Sequence, residues 1–318
     1  MKSAKALGEI KKRALDDIEK AHPIDGLLFG ALGVVTAQMC QDLSKGFSGK
    51  QFEFMDVGEY QVIAHEGRMG EVKQIYWKEL LYRVYWAAAL NIMRHQRWQA
   101  ACTRAFAEPA NLLAFASSLR GLLEGAQDAW YSLNGVPPTL ARDRGYIQSA
   151  LAGKMQDKGF LNKELEDRLI HFLYGRKLGK TEKEMTPTSH LALEPKEYRN
   201  AIGLRDDERE MWRQLYDDLC GICHPTASSL ISFWKGDDCR VEIVRPDDSS
   251  HILALCQKYG EAINSALSLS VTPPAMCLKV LNWFSLPEIK CPEIEKWNFE
   301  DIPAWKKIQA ASVTGTVH

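Results

Sequence analysis

The sequence predicts an all-α protein: a multi-helix bundle with at most a short strand or hairpin and an extended C-terminal tail. Three observations carry this. Long stretches such as "EVKQIYWKELLYRVYWAAALNIMRHQRWQAACTRAF" repeat apolar residues at helical spacing. Period-two alternation is confined to short stretches, one within 46–70 and one around Val241 and Ile243. The composition, 46% hydrophobic and 25% charged over 318 residues, is that of an ordinary globular chain.

In chain order, residues 3–20 are expected to be helical, with Asp16 and Lys20 as an i,i+4 pair. A second helix is expected over 25–43, and the Gly-punctuated 46–70 as irregular chain with a brief strand. In 71–106, Tyr76, Leu80, Val84 and Ala88 form one stripe. The aromatic residues there could stack bases, but at helical spacing they are expected in the core. Glu108-Pro109 breaks the chain, and the next helix ends at Asn134-Gly135, a C-cap signal before Pro137-Pro138.

Helices follow over 141–155 and 162–178, then the polar connector "GKTEKEMTPTSHLALEP", expected as a surface loop. Helix resumes over 205–223, with a further turn expected at 226–234, and "HILALCQKYGEAINSALSLS" should end before Thr272-Pro273-Pro274. A last short helix is expected in "AMCLKVLNWF", and the chain from 286 as an extended tail. The expected organisation is an N-terminal helical region (1–105), a helical core (106–285) and the tail (286–318).

The net charge of −1 provides no overall basic footprint for non-specific nucleic-acid binding, although a local groove is compatible with it. The apolar run "IDGLLFGALGVVTAQMC" is shorter than a membrane helix, about 20 residues, so a buried helix and a bacterial-type cytoplasmic location are expected, with no membrane partner. The eight cysteines are scattered and do not form a disulfide framework.

One run invites a cofactor reading: Cys220-Gly221-Ile222-Cys223-His224-Pro225 contains the C-x-x-C-H pattern of c-type haem attachment. Haem attachment requires an oxidising export compartment, and structural zinc requires a second ligand pair that the chain lacks. The flanks, with Trp212, Leu215, Leu219 and Ile222 on one stripe, read as the end of an amphipathic helix. No cofactor and no metal are therefore expected, and the thiols are assigned to packing.

His224 is the more informative residue. Preceding a proline, it is pushed out of the α region, so the helix should finish there, with the imidazole near the negative end of the helix dipole. Tyr216 lies two turns earlier. A second constellation, Arg120, Glu124 and Asp128 at i, i+4 and i+8, draws a charged line along an otherwise apolar helix. Two readings stay open: a strip of surface salt bridges, or a polar pocket built with His224.

Arg-x3-Glu-x3-Asp on a mid-chain helix (Arg120, Glu124, Asp128), followed by Tyr-x2-Leu-x4-His-Pro (Tyr216, Leu219, His224, Pro225), resembles a group of bacterial helical proteins. Their character is similar to that of the HEPN-type bundles, over roughly residues 110–235. The resemblance implies an RNA- or nucleotide-directed protein of stress response or phage defence. If it is catalytic, His224 would exchange a proton with a ribose 2′-hydroxyl, Arg120 would stabilise phosphate charge, and Glu124 or Asp128 would orient one of them.

HEPN ribonucleases carry Arg, four to six residues, then His. Here only Arg245 and His251 show that spacing, and the Pro-Asp-Asp-Ser-Ser between them reads as a helix N-cap. The alternative is a non-catalytic interaction module, with a protein partner or a homodimer, in which Arg120, Glu124, Asp128 and His224 form a structural polar network. A third class is a carboxylate–histidine metal enzyme using Glu124, Asp128 and His224. "GRKLGKT" fails the spacing of a phosphate loop, and His171 is expected to be a satisfied core histidine.

Overall fold

The computed structural model describes residues 17–154, 161–237 and 239–314. The helix expected over 3–20 lies mostly outside the described residues, together with Asp16. Within the described residues the fold is all-α apart from one two-stranded hairpin.

The helices are α1 (Pro23–Ser44), α2 (Val57–His65), α3 (Met69–Phe106), α4 (Leu112–Leu133), α5 (Val136–Arg142), α6 (Arg144–Leu151) and α7 (Lys163–Tyr174). Then come α8 (Lys180–Met185), α9 (Pro195–Ala201), α10 (Asp206–Cys223), the hairpin β1 (Trp234–Asp237) and β2 (Arg240–Ile243), α11 (Asp248–Lys258), α12 (Gly260–Leu281) and α13 (Pro303–Thr314).

The long amphipathic helices form where their apolar stripes predict. In α3, Leu80, Val84 and Ala88 are fully buried, and in α10 so are Trp212, Leu215 and Leu219. Helix α4 ends at Leu133, before the Asn134-Gly135 signal.

Elsewhere the structure corrects the expectations. The stretch 46–70 holds α2 rather than a strand, because Asp56 caps it by accepting the Gly58 amide at 2.8 Å. Pro137 and Pro138 open α5, since the first turn needs no amide donors there. The connector contains the short helix α8 and a 3-10 turn, Thr188–His190, and its last residue, Pro195, opens α9. The residues expected as one helix from His251 are two, broken at Tyr259, and the second runs through Pro273-Pro274. Proline inside a helix costs about 3 kcal/mol. Here Ala275, Met276, Cys277, Leu278, Val280 and Leu281 just beyond the prolines are buried, and that packing outweighs the local penalty. The tail passes through two 3-10 turns (Pro287–Ile289, Pro292–Lys296) and closes on α13, whose Trp305 and Ile308, one turn apart, are buried.

The chain divides into two compact units, each drawn from three stretches: 1–42, 93–127 and 199–271 in the first, and 43–92, 128–198 and 272–318 in the second. This division is interleaved along the chain, unlike the linear partition at 105 and 285. The core of the first unit includes Phe29, Val34, Phe115, Leu119, Leu123, Trp212, Leu215 and Ile263. That of the second includes Trp77, Leu81, Tyr85, Leu140, Leu169, Phe284 and Trp305, with α13 packed on α5.

Helix α1, at 22 residues, is the one described helix long and apolar enough to cross a membrane, so the expectation that it is too short does not hold. In the first unit it nevertheless makes the contacts of a core helix, with Phe29, Val34 and Cys40 buried and polar groups bonded to α3. At Gly30 (φ 65°) the helix kinks, a backbone that a side chain would oppose. Beside the kink, Gln99 of α3, 2% exposed, uses its whole amide. Its nitrogen donates to Asp25 Oδ1 at 2.6 Å and to the Gly33 carbonyl at 2.7 Å. Its oxygen accepts from the Thr36 hydroxyl at 3.2 Å and pairs with His95 Nε2 at 3.0 Å.

Candidate functional site

In the first unit, α4 presents Arg120 and Glu124 on successive turns, flanked by buried Leu119, Leu122 and Leu123. Arg120 Nε donates to Glu124 Oε1 at 3.0 Å, the i,i+4 pair that the spacing predicts. From α10 the Tyr216 hydroxyl donates to the same carboxylate oxygen at 2.9 Å. The buried stripe of α10 fixes the rotation of that helix, and this turns Tyr216 toward α4. Burial and the neighbouring Glu124 push the tyrosine hydroxyl up to about 12. Burial opposes the Arg120 charge, yet the hydrogen bond and negative charge of Glu124 prevail, and the guanidinium is held above its ordinary value.

A fourth member comes from α9. Arg199 Cζ lies 5.2 Å from the Tyr216 ring centroid, the same distance as Arg120 Cζ. Arg199 Nη1 is buried and has no hydrogen-bond acceptor. Two guanidinium groups thus share one aromatic ring, and Glu124 is engaged by one of them. No sequence motif pointed to Arg199. The signal available was a Tyr-Arg pair between the expected loop and the helix expected from 205.

The other predicted residues are placed differently. His224 is the C-cap of α10, with extended backbone (φ −98°, ψ 160°), as its position before Pro225 requires. It is exposed, and its imidazole bonds to none of Arg120, Glu124 or Tyr216. Next to it, Cys223 Sγ lies 3.8 Å from Ser117 Oγ, one turn before Arg120 on α4. Asp128 falls in the second unit, where its negative charge acts on His171. That histidine is buried, with Nε2 2.9 Å from the Tyr198 hydroxyl and the Tyr131 ring at 5.1 Å, a satisfied core histidine whose pKa burial lowers.

The thiols of Cys220 and Cys223 are free and half-buried. Among the described residues no three His, Cys, Asp or Glu side chains are arranged to hold a metal ion. Asp247 caps α11 by accepting the Ser250 amide at 3.3 Å, so the segment between Arg245 and His251 is a helix start. Asp248 accepts the Leu112 amide at 2.9 Å and caps α4 from a distance in sequence.

Chemically, the cluster has surplus positive charge, a planar ring and one carboxylate that accepts two donors. Such a set can hold an anion against the guanidinium groups. Comparison with protein-family models, curated proteins and solved structures gives no match to this chain.

Proposed function

We propose that this protein is RNA- or nucleotide-directed, in the manner of HEPN-type bundles, and that Arg120 and Arg199 receive the phosphate. The observation that carries the reading is the pair of guanidinium groups at 5.2 Å from one tyrosine ring, with Arg199 Nη1 buried and lacking an acceptor. A buried donor without a partner costs about 1–3 kcal/mol, and a phosphate oxygen supplies the missing acceptor. In the catalytic form of the reading, His224 takes the proton of a ribose 2′-hydroxyl while Arg120 stabilises the charge that develops on the phosphate. The exposed, unbonded imidazole of His224 is compatible with that task, and the Cys223–Ser117 contact holds the end of α10 against α4.

The test uses labelled single-stranded RNA and nucleotides with the wild type, His224→Ala, Arg120→Ala and Arg199→Ala. Arg199→Ala is expected to weaken binding about tenfold, as loss of one charge-assisted contact does. His224→Ala is expected to abolish cleavage while retaining binding. Equal binding and equal activity in all four proteins would reject the proposal.

A second reading has its own support. Glu124 Oε1 accepts from both Arg120 and Tyr216, which joins α4 to α10 across the first unit. If this is a structural network in an interaction module, Glu124→Ala lowers the melting temperature by a few degrees, about 1 kcal/mol, and no RNA is bound.

A further inference from the structure

We propose that β2 is a pairing edge for a second copy of this chain, joined antiparallel about a two-fold axis at Val241. The hairpin pairs Trp234 with Ile243, Lys235 with Glu242, Gly236 with Val241 and Asp237 with Arg240. Every residue of β2 is exposed, Val241 at 62% and Ile243 at 88%. Leu230, Ile231, Phe233 and Trp234, just before and at the start of β1, are exposed as well. A lone two-stranded hairpin is marginally stable in water, and a concentrated apolar surface of this kind marks an interaction site.

The ladder shows which groups are available. The Val244 amide donates to the Phe233 carbonyl at 2.9 Å, so the alternation of an antiparallel pair turns the backbone groups of Glu242 and Arg240 toward β1. Those of Val241 and Ile243 then point outward. An antiparallel partner keeps the apolar face continuous only if like-numbered outward residues lie on the axis, and two centres qualify. Centring on Ile243 sets Glu242 opposite Val244 and Arg240 opposite Pro246, so neither charge meets an opposite one. Centring on Val241 places Val241 opposite its own copy, with both backbone bonds exchanged.

That register also matches charge. Arg240 of each copy stands opposite Glu242 of the other, twice by symmetry. Within one chain Glu242 already pairs with Lys235 at 3.2 Å, so the partner's arginine flanks it on its other side. An isologous contact needs such self-complementarity, and the tetrapeptide Arg-Val-Glu-Ile supplies it. The charged residues oppose other registers, which restricts pairing to this one partner geometry.

The test uses the full-length chain. Sedimentation equilibrium should show a reversible monomer–dimer system. Arg240→Glu places like charges opposite at two positions and should weaken dimerisation roughly tenfold, while Arg240→Glu with Glu242→Arg restores it. In a Cys239→Ser background, Val241→Cys should form an intermolecular disulfide on mild oxidation. Glu242→Cys should not, because its nearest copy is a diagonal neighbour about 7–8 Å away. Far-ultraviolet circular dichroism that matches the wild type shows that each variant is folded. A wild type that stays monomeric at high concentration, an Arg240→Glu variant that still dimerises equally, or equal cross-linking at both cysteine positions overturns the proposal.

Discussion

Gln99→Leu is expected to destabilise the protein by about 3 kcal/mol or more at neutral pH, the range for removing the partner of a buried charge. Leucine preserves much of the volume and removes all four polar contacts of the side chain. Asp25, 9% exposed, then keeps a hydrogen bond to its own backbone and His22, whose Nδ1 is 3.7 Å away. Burial already raises the Asp25 pKa in the fold, and the Gln99 hydrogen bond and the His22 charge partly offset this. A carboxyl with a raised folded pKa stabilises the fold when protonated, and that contribution is lost as pH rises through the folded value. Without Gln99 the value rises further. The variant's deficit should therefore be largest at pH 7 and shrink toward pH 5. Urea unfolding of both proteins at the two pH values measures it. A deficit that does not change with pH would mean that only packing was lost.

The second large effect comes from His95, which is 2% exposed. Burial is the main cause that holds its pKa down at about 4; the Gln99 hydrogen bond opposes the shift and the Arg94 charge adds to it. The side chain donates through Nε2, since the Gln99 oxygen can only accept, and Nδ1 is left buried without a partner. A histidine with a lowered folded pKa contributes stability above its unfolded value, near 6.5, and loses it as pH falls toward the folded one. Between those limits the unfolding free energy should drop by about 3 kcal/mol from this residue, at 1.36 kcal/mol per pH unit. His171, also lowered by burial, adds a share of the same sign. In His95→Leu the slope over this interval should flatten by that amount, leaving the shares of His171 and Asp25. An unchanged slope would place the acid sensitivity elsewhere.

How much of this was legible beforehand varies by element. Helices α3, α4 and α10 follow from their stripes, because one buried face imposes the period. The end of α10 at His224 follows from the backbone restriction before proline. Helices α2, α8 and α9 span few turns, and too few apolar positions recur in them for a period to show. Proline was misread in α12 because its local penalty is visible in a sequence, whereas the burial that outweighs it is not.

The candidate site divides in the same way. Arg120 and Glu124 lie four residues apart on one helix, so their ion pair is dictated by helical geometry, and the chain's own order determined it. Asp128 continues the line in sequence, yet it falls in the other unit and acts on His171. Tyr216 reaches Glu124 across 92 positions of sequence, and Arg199 joins from a short helix that no pattern announced. Those encounters depend on which faces of α4, α9 and α10 are buried and at what rotation. Local periodicity therefore determined the helices and the contacts within them, and only tertiary packing decided which polar groups meet.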